Sequence, residues 1–152
     1  MNLLHNPSVG ALLLRIALAA VLLSHSVYLK LVVFTLPGTA GFFSSIGLPG
    51  WLAYVVFAAE AVGGVAILLG IFTRQFALAM IPILLGATWA HLPNGWLFTN
   101  ANGGWEYPLF LAFMSTALML IGSGEYAIKP DSEETGAAAG NGMPTPGTLA
   151  RG

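Results

Sequence analysis

The sequence contains no cysteine. That absence excludes disulfides, dithiol redox chemistry, thiolate metal sites and covalently attached c-type haem. Charge is nearly as scarce: 7% of the 152 residues are Asp, Glu, Lys or Arg, against roughly 25% in a soluble domain. Between Ser8 and Ile128 the only charged residues are Arg15, Lys30, Glu60, Arg74, Glu106 and Glu125. A soluble helical bundle needs a charged face on every helix, and there is not enough charge here to build one. The net charge of −1 leaves no basic patch for nucleic acid.

Apolar residues fill the space instead, at 57% of the chain and a mean hydropathy of +0.81. A helix needs about 20 mostly apolar residues to cross roughly 30 Å of hydrocarbon. Four segments qualify. The first runs from about Val9 to Leu36, stopped by Pro37-Gly38. The second runs from Trp51, after Gly47-Leu48-Pro49-Gly50, to Phe72. The third covers Phe76 to Leu92, stopped by Pro93-Asn94-Gly95. The fourth opens at Trp105 and closes at Gly122-Ser123-Gly124. The first segment lacks a cationic lead and is too long for a cleavable signal, so it reads as a permanent span. Spans two and three, joined through Thr73-Arg74-Gln75, form an antiparallel hairpin.

Glu60, mid-span, tests the assignment. An acidic residue at the centre costs about 2.5–3.5 kcal/mol, while each Val, Ile, Leu or Phe returns about 0.3–0.6. The 11 such residues around Glu60 therefore outweigh it, on the order of 3–7 kcal/mol in sum. The expected fold is an all-α, integral membrane four-helix antiparallel bundle. Residues 1–8 form a short lead-in, 9–128 the four-span domain and 129–152 a disordered cytoplasmic tail of Gly, Ala, Pro, Thr and acid. Arg74 and Lys129 flank the span ends on one side, and Arg15 lies close enough to snorkel there. The other side has Lys30 alone. Basic residues favour the cytoplasm, which places both termini there and the chain in the cell membrane.

With that topology His25, Lys30, Glu60, His91 and Glu106 converge on the outer half of the bundle. Ionisable groups at membrane depth usually face the bundle interior or a wet cavity and mark sites. Each also has a plainer reading. Glu106 opens a helix, where the dipole favours a carboxylate. Lys30 snorkels to headgroups, His91 is solvated at the interface, and His25 bonds a neighbouring helix as packing glue. Glu60 is hardest to dismiss, because a buried carboxylate needs a partner or a proton. Trp89, Asn94, Trp96, Asn100 and Asn102 form a polar rim. The tryptophans at 51, 89, 96 and 105 suit an interfacial belt, and Arg74 a topology anchor. Ala59, Gly63, Gly64 and Gly70 permit close helix approach, and Pro82 kinks span three. Bis-imidazole haem ligation by His25 and His91 ranks low, since no second pair exists.

The ordered set of motifs resembles the DoxX family of small four-helix bacterial membrane proteins. It runs through Leu14-Arg15-Ile16-Ala17-Leu18, Ser24-His25-Ser26, Lys30, Gly41-Phe42-Phe43 and Ile46-Gly47-Leu48-Pro49. It continues through Ala59-Glu60-Ala61-Val62-Gly63-Gly64 and Leu69-Gly70-Ile71-Phe72-Thr73-Arg74. His91, Asn94-Gly95, Asn102-Gly103-Gly104-Trp105-Glu106-Tyr107 and Gly122-Ser123-Gly124-Glu125-Tyr126 complete it, over about residues 10–128. Ser26 stands where the family usually has Gly, which puts close backbone approach there in doubt. The resemblance implies a superfamily with quinone-linked members associated with thiosulfate oxidation and others tied to thiol and oxidative stress.

Two functions follow as expectations. The first is an accessory or quinone-interacting subunit of a membrane redox or stress-response complex. Its catalytic candidates are Glu60, His91 and Glu106, and its substrate-binding candidates His25, Lys30, Asn94 and Trp89. No metal site is assigned, quinone is the candidate substrate, and a protein partner supplies the electrons. The second is a non-catalytic anchor or scaffold, alone or as a homo-oligomer; small-molecule permeation ranks below both.

Overall fold

Asn6 opens the first helix. Its side chain accepts the Ser8 N–H at 2.9 Å, and Pro7 follows in the first turn, where its missing N–H costs nothing. The computed structural model describes residues 6–131. Helix α1 spans Pro7–Leu23 and buries Ala11, Arg15, Leu18, Ala19 and Leu22. It passes without a break into a π-helix over Ser24–Val33. The cause is visible at the junction. Ser24 Oγ, His25 Nδ1 and Ser26 Oγ bond the carbonyls four residues back, at 2.7, 2.9 and 2.8 Å. Polar side chains that bond the preceding turn compete with the α-helical ladder, and π segments tend to sit at functional places. His25 therefore bonds its own helix, not a neighbour. Ser26 is fully buried with its hydroxyl satisfied, so the serine fits the close packing that it was expected to disturb.

The chain turns at Thr35, whose φ of 62° is left-handed. Helix α2 spans Leu36–Ser45, with Thr35 Oγ1 capping the Gly38 N–H at 3.3 Å. Pro37 was expected only to stop the first span; it instead lies in the first turn of this short helix. Helix α3 spans Leu52–Leu69 and α4 spans Thr73–His91, followed by a 3-10 turn over Leu92–Asn94. Helix α5 spans Glu106–Ile121. Among the described residues there is no strand, only a single parallel bridge between Ile71 and Lys129.

Three helical stretches are long and apolar enough to cross a membrane: Pro7–Val33, Leu52–Leu69 and Thr73–Asn94. Helix α5 is apolar but has 16 residues, or ~24 Å, somewhat short of the hydrocarbon layer. The four long helices pack in a ring, α1 on α3 and α5, α4 on α3 and α5, with α2 against α3 and the π segment. The core joins Leu18 and Leu22 of α1, Ile67 of α3, Met80 and Leu84 of α4, and Leu111 and Leu118 of α5.

Two adjacent glycines let α3 touch two neighbours. A Cβ on Gly63 would lie 3.0 Å from Met80 Cε of α4, and one on Gly64 would lie 3.0 Å from Leu23 of α1. Gly70 has a different job from the packing role expected of it. It ends α3 at φ 72°, and a Cβ there would lie 2.6 Å from Arg15 Nη2 and 2.8 Å from Ala127 Cα. Pro82 lies within α4 on its exposed side.

Arg15 does not snorkel. It is 1% exposed, and its guanidinium donates to the Ile67 and Leu68 carbonyls at 2.9 and 2.7 Å and to those of Ser123 and Tyr126 at 3.0 Å each. These include free carbonyls at the end of α3 and in the turn after α5, which water would otherwise have to satisfy. Arg74 donates to Met119 and Leu120 and lies 3.6 Å from Asp131. Ser123 and Asp131 bond each other twice at 3.0 Å. Lys129–Asp131 thus pack on the bundle rather than starting a free tail; the disorder expected further along falls outside the described residues, as do residues 1–5.

Candidate functional site

Glu60 lies on the inward stripe of α3 with Gly63 and Ile67, and Lys30 comes from the π-helix. Their side chains meet at 2.6 Å, 8% and 17% exposed respectively. The buried carboxylate therefore has the partner it required, and Lys30 is committed inward rather than to the headgroups. Each charge makes the other tolerable. A buried pair of this kind is close to neutral in net energy, but removing one partner strands a charge.

The second polar group lies in the loop between α4 and α5. Trp105 N–H bonds Gly95 O and Glu106 N–H bonds Trp96 O, both at 3.1 Å. Asn94 Nδ2 donates to the carbonyls of Asn102 and Gly103, and Asn100 Nδ2 to that of Asn94. Gly104 has no room for a side chain, since a Cβ would fall 2.2 Å from Leu97 O. Glu106 reaches back so that its Oε1 accepts the Phe98 N–H at 2.9 Å. It ties the loop to the start of α5, while its Oε2 has no partner among the described residues.

Loop and helix enclose an open cleft of about 390 Å³, lined by Trp96, Phe98, Glu106, Tyr107, Leu109, Phe110 and Phe113. That lies within the volume of small-molecule sites, though the lining here is unusually aromatic. Trp96 and Trp105 meet edge to face at 4.4 Å, which stiffens one wall. His25 stacks on Tyr107 with ring centroids 6.3 Å apart, linking the π-helix to the base of α5.

His25 and His91 each have one ring nitrogen fixed. His25 Nδ1 lies 2.9 Å from Val21 O, and His91 Nδ1 lies 2.8 Å from Ala87 O. A carbonyl only accepts, so Nδ1 carries the hydrogen and the neutral ring presents Nε2 as a bare acceptor. His91 is near the loop, 3.7 Å from where a Gly103 Cβ would be.

The predicted residues therefore fall into parts. Lys30 and Glu60 are in contact, His25 joins Tyr107, and Glu106 lines the cleft. Asn94 spends its amide on the loop. Trp89 is 52% exposed on α4 and does not line the cleft. Of the cleft aromatics only Trp96 was expected, as part of the rim; those of α5 were missed, although Tyr107, Phe110 and Phe113 recur every three residues along one side of it.

The DoxX family matches residues 10–93. The chain belongs to the DoxX family. The DoxX match holds Arg15, His25, Lys30, Glu60 and His91, while Glu106 and the cleft lie beyond it. The chain is also similar to a Bacillus subtilis (strain 168) protein named "Putative oxidoreductase CatD", 34% identical over 123 residues, covering 80% of this chain and 86% of that one. No solved structure matches it.

Proposed function

We propose that this DoxX protein is an accessory subunit of a redox complex in the cell membrane, and that it binds the ring of a lipid-soluble quinone or its hydroquinone. The observation that carries this reading is the cleft of α5, an open aromatic slot with one carboxylate at its edge. A flat apolar ring stacks on such walls and can arrive through the lipid. The oxidoreductase name of the similar protein supports the chemistry, and the cysteine-free sequence offers no thiol or thiolate-held electron carrier of its own. The two electrons of the quinone couple then pass to or from a partner protein, with two protons. Glu106, His25 and His91 are the groups assigned to proton exchange, and Lys30–Glu60 holds the π-helix that positions His25. Asn94 shapes the cleft loop.

The orientation belongs to the same proposal. Arg15, Arg74 and Lys129 gather at the end that holds the α3–α4 turn and the close of α5, which favours that end as cytoplasmic. Both termini and the cleft then lie on opposite sides, and α5 makes the fourth crossing by drawing on its flanking turns.

Calorimetric titration of the detergent-purified chain with a short-chain benzoquinone and its hydroquinone tests the reading. Saturable binding of either, weakened by Phe110→Ala and Trp96→Ala, is expected; absence of binding by both ends it. A non-catalytic scaffold is the second reading, favoured by the mutual satisfaction of Lys30 and Glu60, which leaves that pair with a sufficient structural purpose. Mutants of Glu106 and His91 that assemble and support partner turnover fully would select it.

A further inference from the structure

Resting on that reading of the cleft, we infer that the site is built for the reduced form of the couple: it takes a hydroquinone in preference to the quinone. The two forms share a ring and differ in their hydrogen bonds. A hydroquinone presents two O–H donors, and a quinone presents two carbonyl acceptors. A site therefore discriminates by which kind of group it has left to offer, because facing acceptors leave one another unpaired.

Beside the cleft, the imidazole Nδ1 hydrogens and the nearest loop N–H are already bonded elsewhere. The Lys30 ammonium gives one of its three hydrogens to Glu60 at 2.6 Å, and Lys30 is not among the residues lining the cleft. The Nδ1 hydrogens of His25 and His91 go to Val21 O and Ala87 O. The Phe98 N–H goes to Glu106 Oε1. What these groups retain are lone pairs: Oε2 of Glu106, in the cleft lining, and Nε2 of His25, stacked on the cleft residue Tyr107. The carboxylate decides the preference. An O–H donating to it makes a charge-assisted bond, whereas a quinone carbonyl in the same place meets a second acceptor. The indole N–H of Trp96 and the hydroxyl of Tyr107 are neutral and serve either form less strongly.

Anaerobic calorimetry in detergent micelles tests this, using a short-chain benzoquinone and its hydroquinone against protein-free micelles. The wild-type chain is expected to bind the hydroquinone at least about tenfold more tightly, the worth of one charge-assisted hydrogen bond. Glu106→Gln keeps an oxygen for the Phe98 N–H and replaces the free acceptor with an N–H donor. It should erase or invert the preference, lowering hydroquinone affinity and raising quinone affinity. Equal or tighter quinone binding by the wild type overturns the inference while leaving the quinone reading intact. So does a Glu106→Gln variant with unchanged preference. Binding of neither form removes both.

Discussion

The two ends of the bundle use charge in opposite ways. At the end holding the α3–α4 turn, Arg15 and Arg74 are tied to backbone carbonyls of elements far apart in sequence, and the segment up to Asp131 is drawn against the helices. At the other end, Lys30 and Glu60 pair with each other, and Glu106 and His25 keep lone pairs beside an open aromatic cleft. Charge at the first end is directed to backbone carbonyls at helix ends and turns. At the second it leaves acceptors next to a space. The difference teaches that burial of a charged residue in a membrane bundle does not by itself mark a site; what matters is whether its hydrogen-bonding capacity is used up.

Breaking the closed end should have the largest effect. Arg15→Leu removes a donor from four carbonyls, of which Ile67 O keeps the Gly70 N–H, and with about 1–3 kcal/mol for each of the others it should cost roughly 4 kcal/mol or more. Unfolding in graded denaturing detergent should show a large loss of folded protein, only partly recovered by Arg15→Lys, which lacks the planar fork. Lys30→Met should come next, at about 3–5 kcal/mol, because it strands Glu60. Most of that should return in Lys30→Met combined with Glu60→Leu, the signature of a stranded charge rather than lost packing. Gly70→Ala should cost roughly 2–4 kcal/mol, from a left-handed φ and from crowding against Ala127 and Arg15; the same unfolding series reads it. Glu106→Gln should be the mildest, under about 1 kcal/mol, since the amide oxygen still accepts the Phe98 N–H. A large loss there would make Glu106 a structural group like Arg15 and erase the contrast between the ends.

Much of this architecture was legible in the sequence. Length, hydropathy and the Pro-Gly breaks located the long helices to within a few residues, and the scarcity of charge identified the solvent. The inward faces were harder to read, because lipid and core both accept Leu and Val, so no polar stripe separates them. They are marked by Arg15, Glu60 and Ser115 and by the small residues Gly63, Gly64 and Ala77. Helix α2 was missed because Leu36–Ser45 has no length signal, only the Thr35 cap and Pro37. The Lys30–Glu60 pair was within reach as a need for a partner, but the partner's identity depends on the π-helix, which rests on three side chains bonding backward. The cleft depends on a loop folded by Gly104 and Glu106, and that closure is set by backbone contacts that no spacing reveals.

The central claim is that the open end, not the closed end, receives an aromatic ring. Photolabelling of the purified chain with an azido-benzoquinone, with the adducts mapped by mass spectrometry, tests it most directly. The account predicts adducts within Trp96–Phe113, suppressed by excess hydroquinone and reduced in Phe110→Ala. Adducts concentrated between Ile67 and Arg74 or between Met119 and Asp131, or labelling that no competitor suppresses, would contradict it.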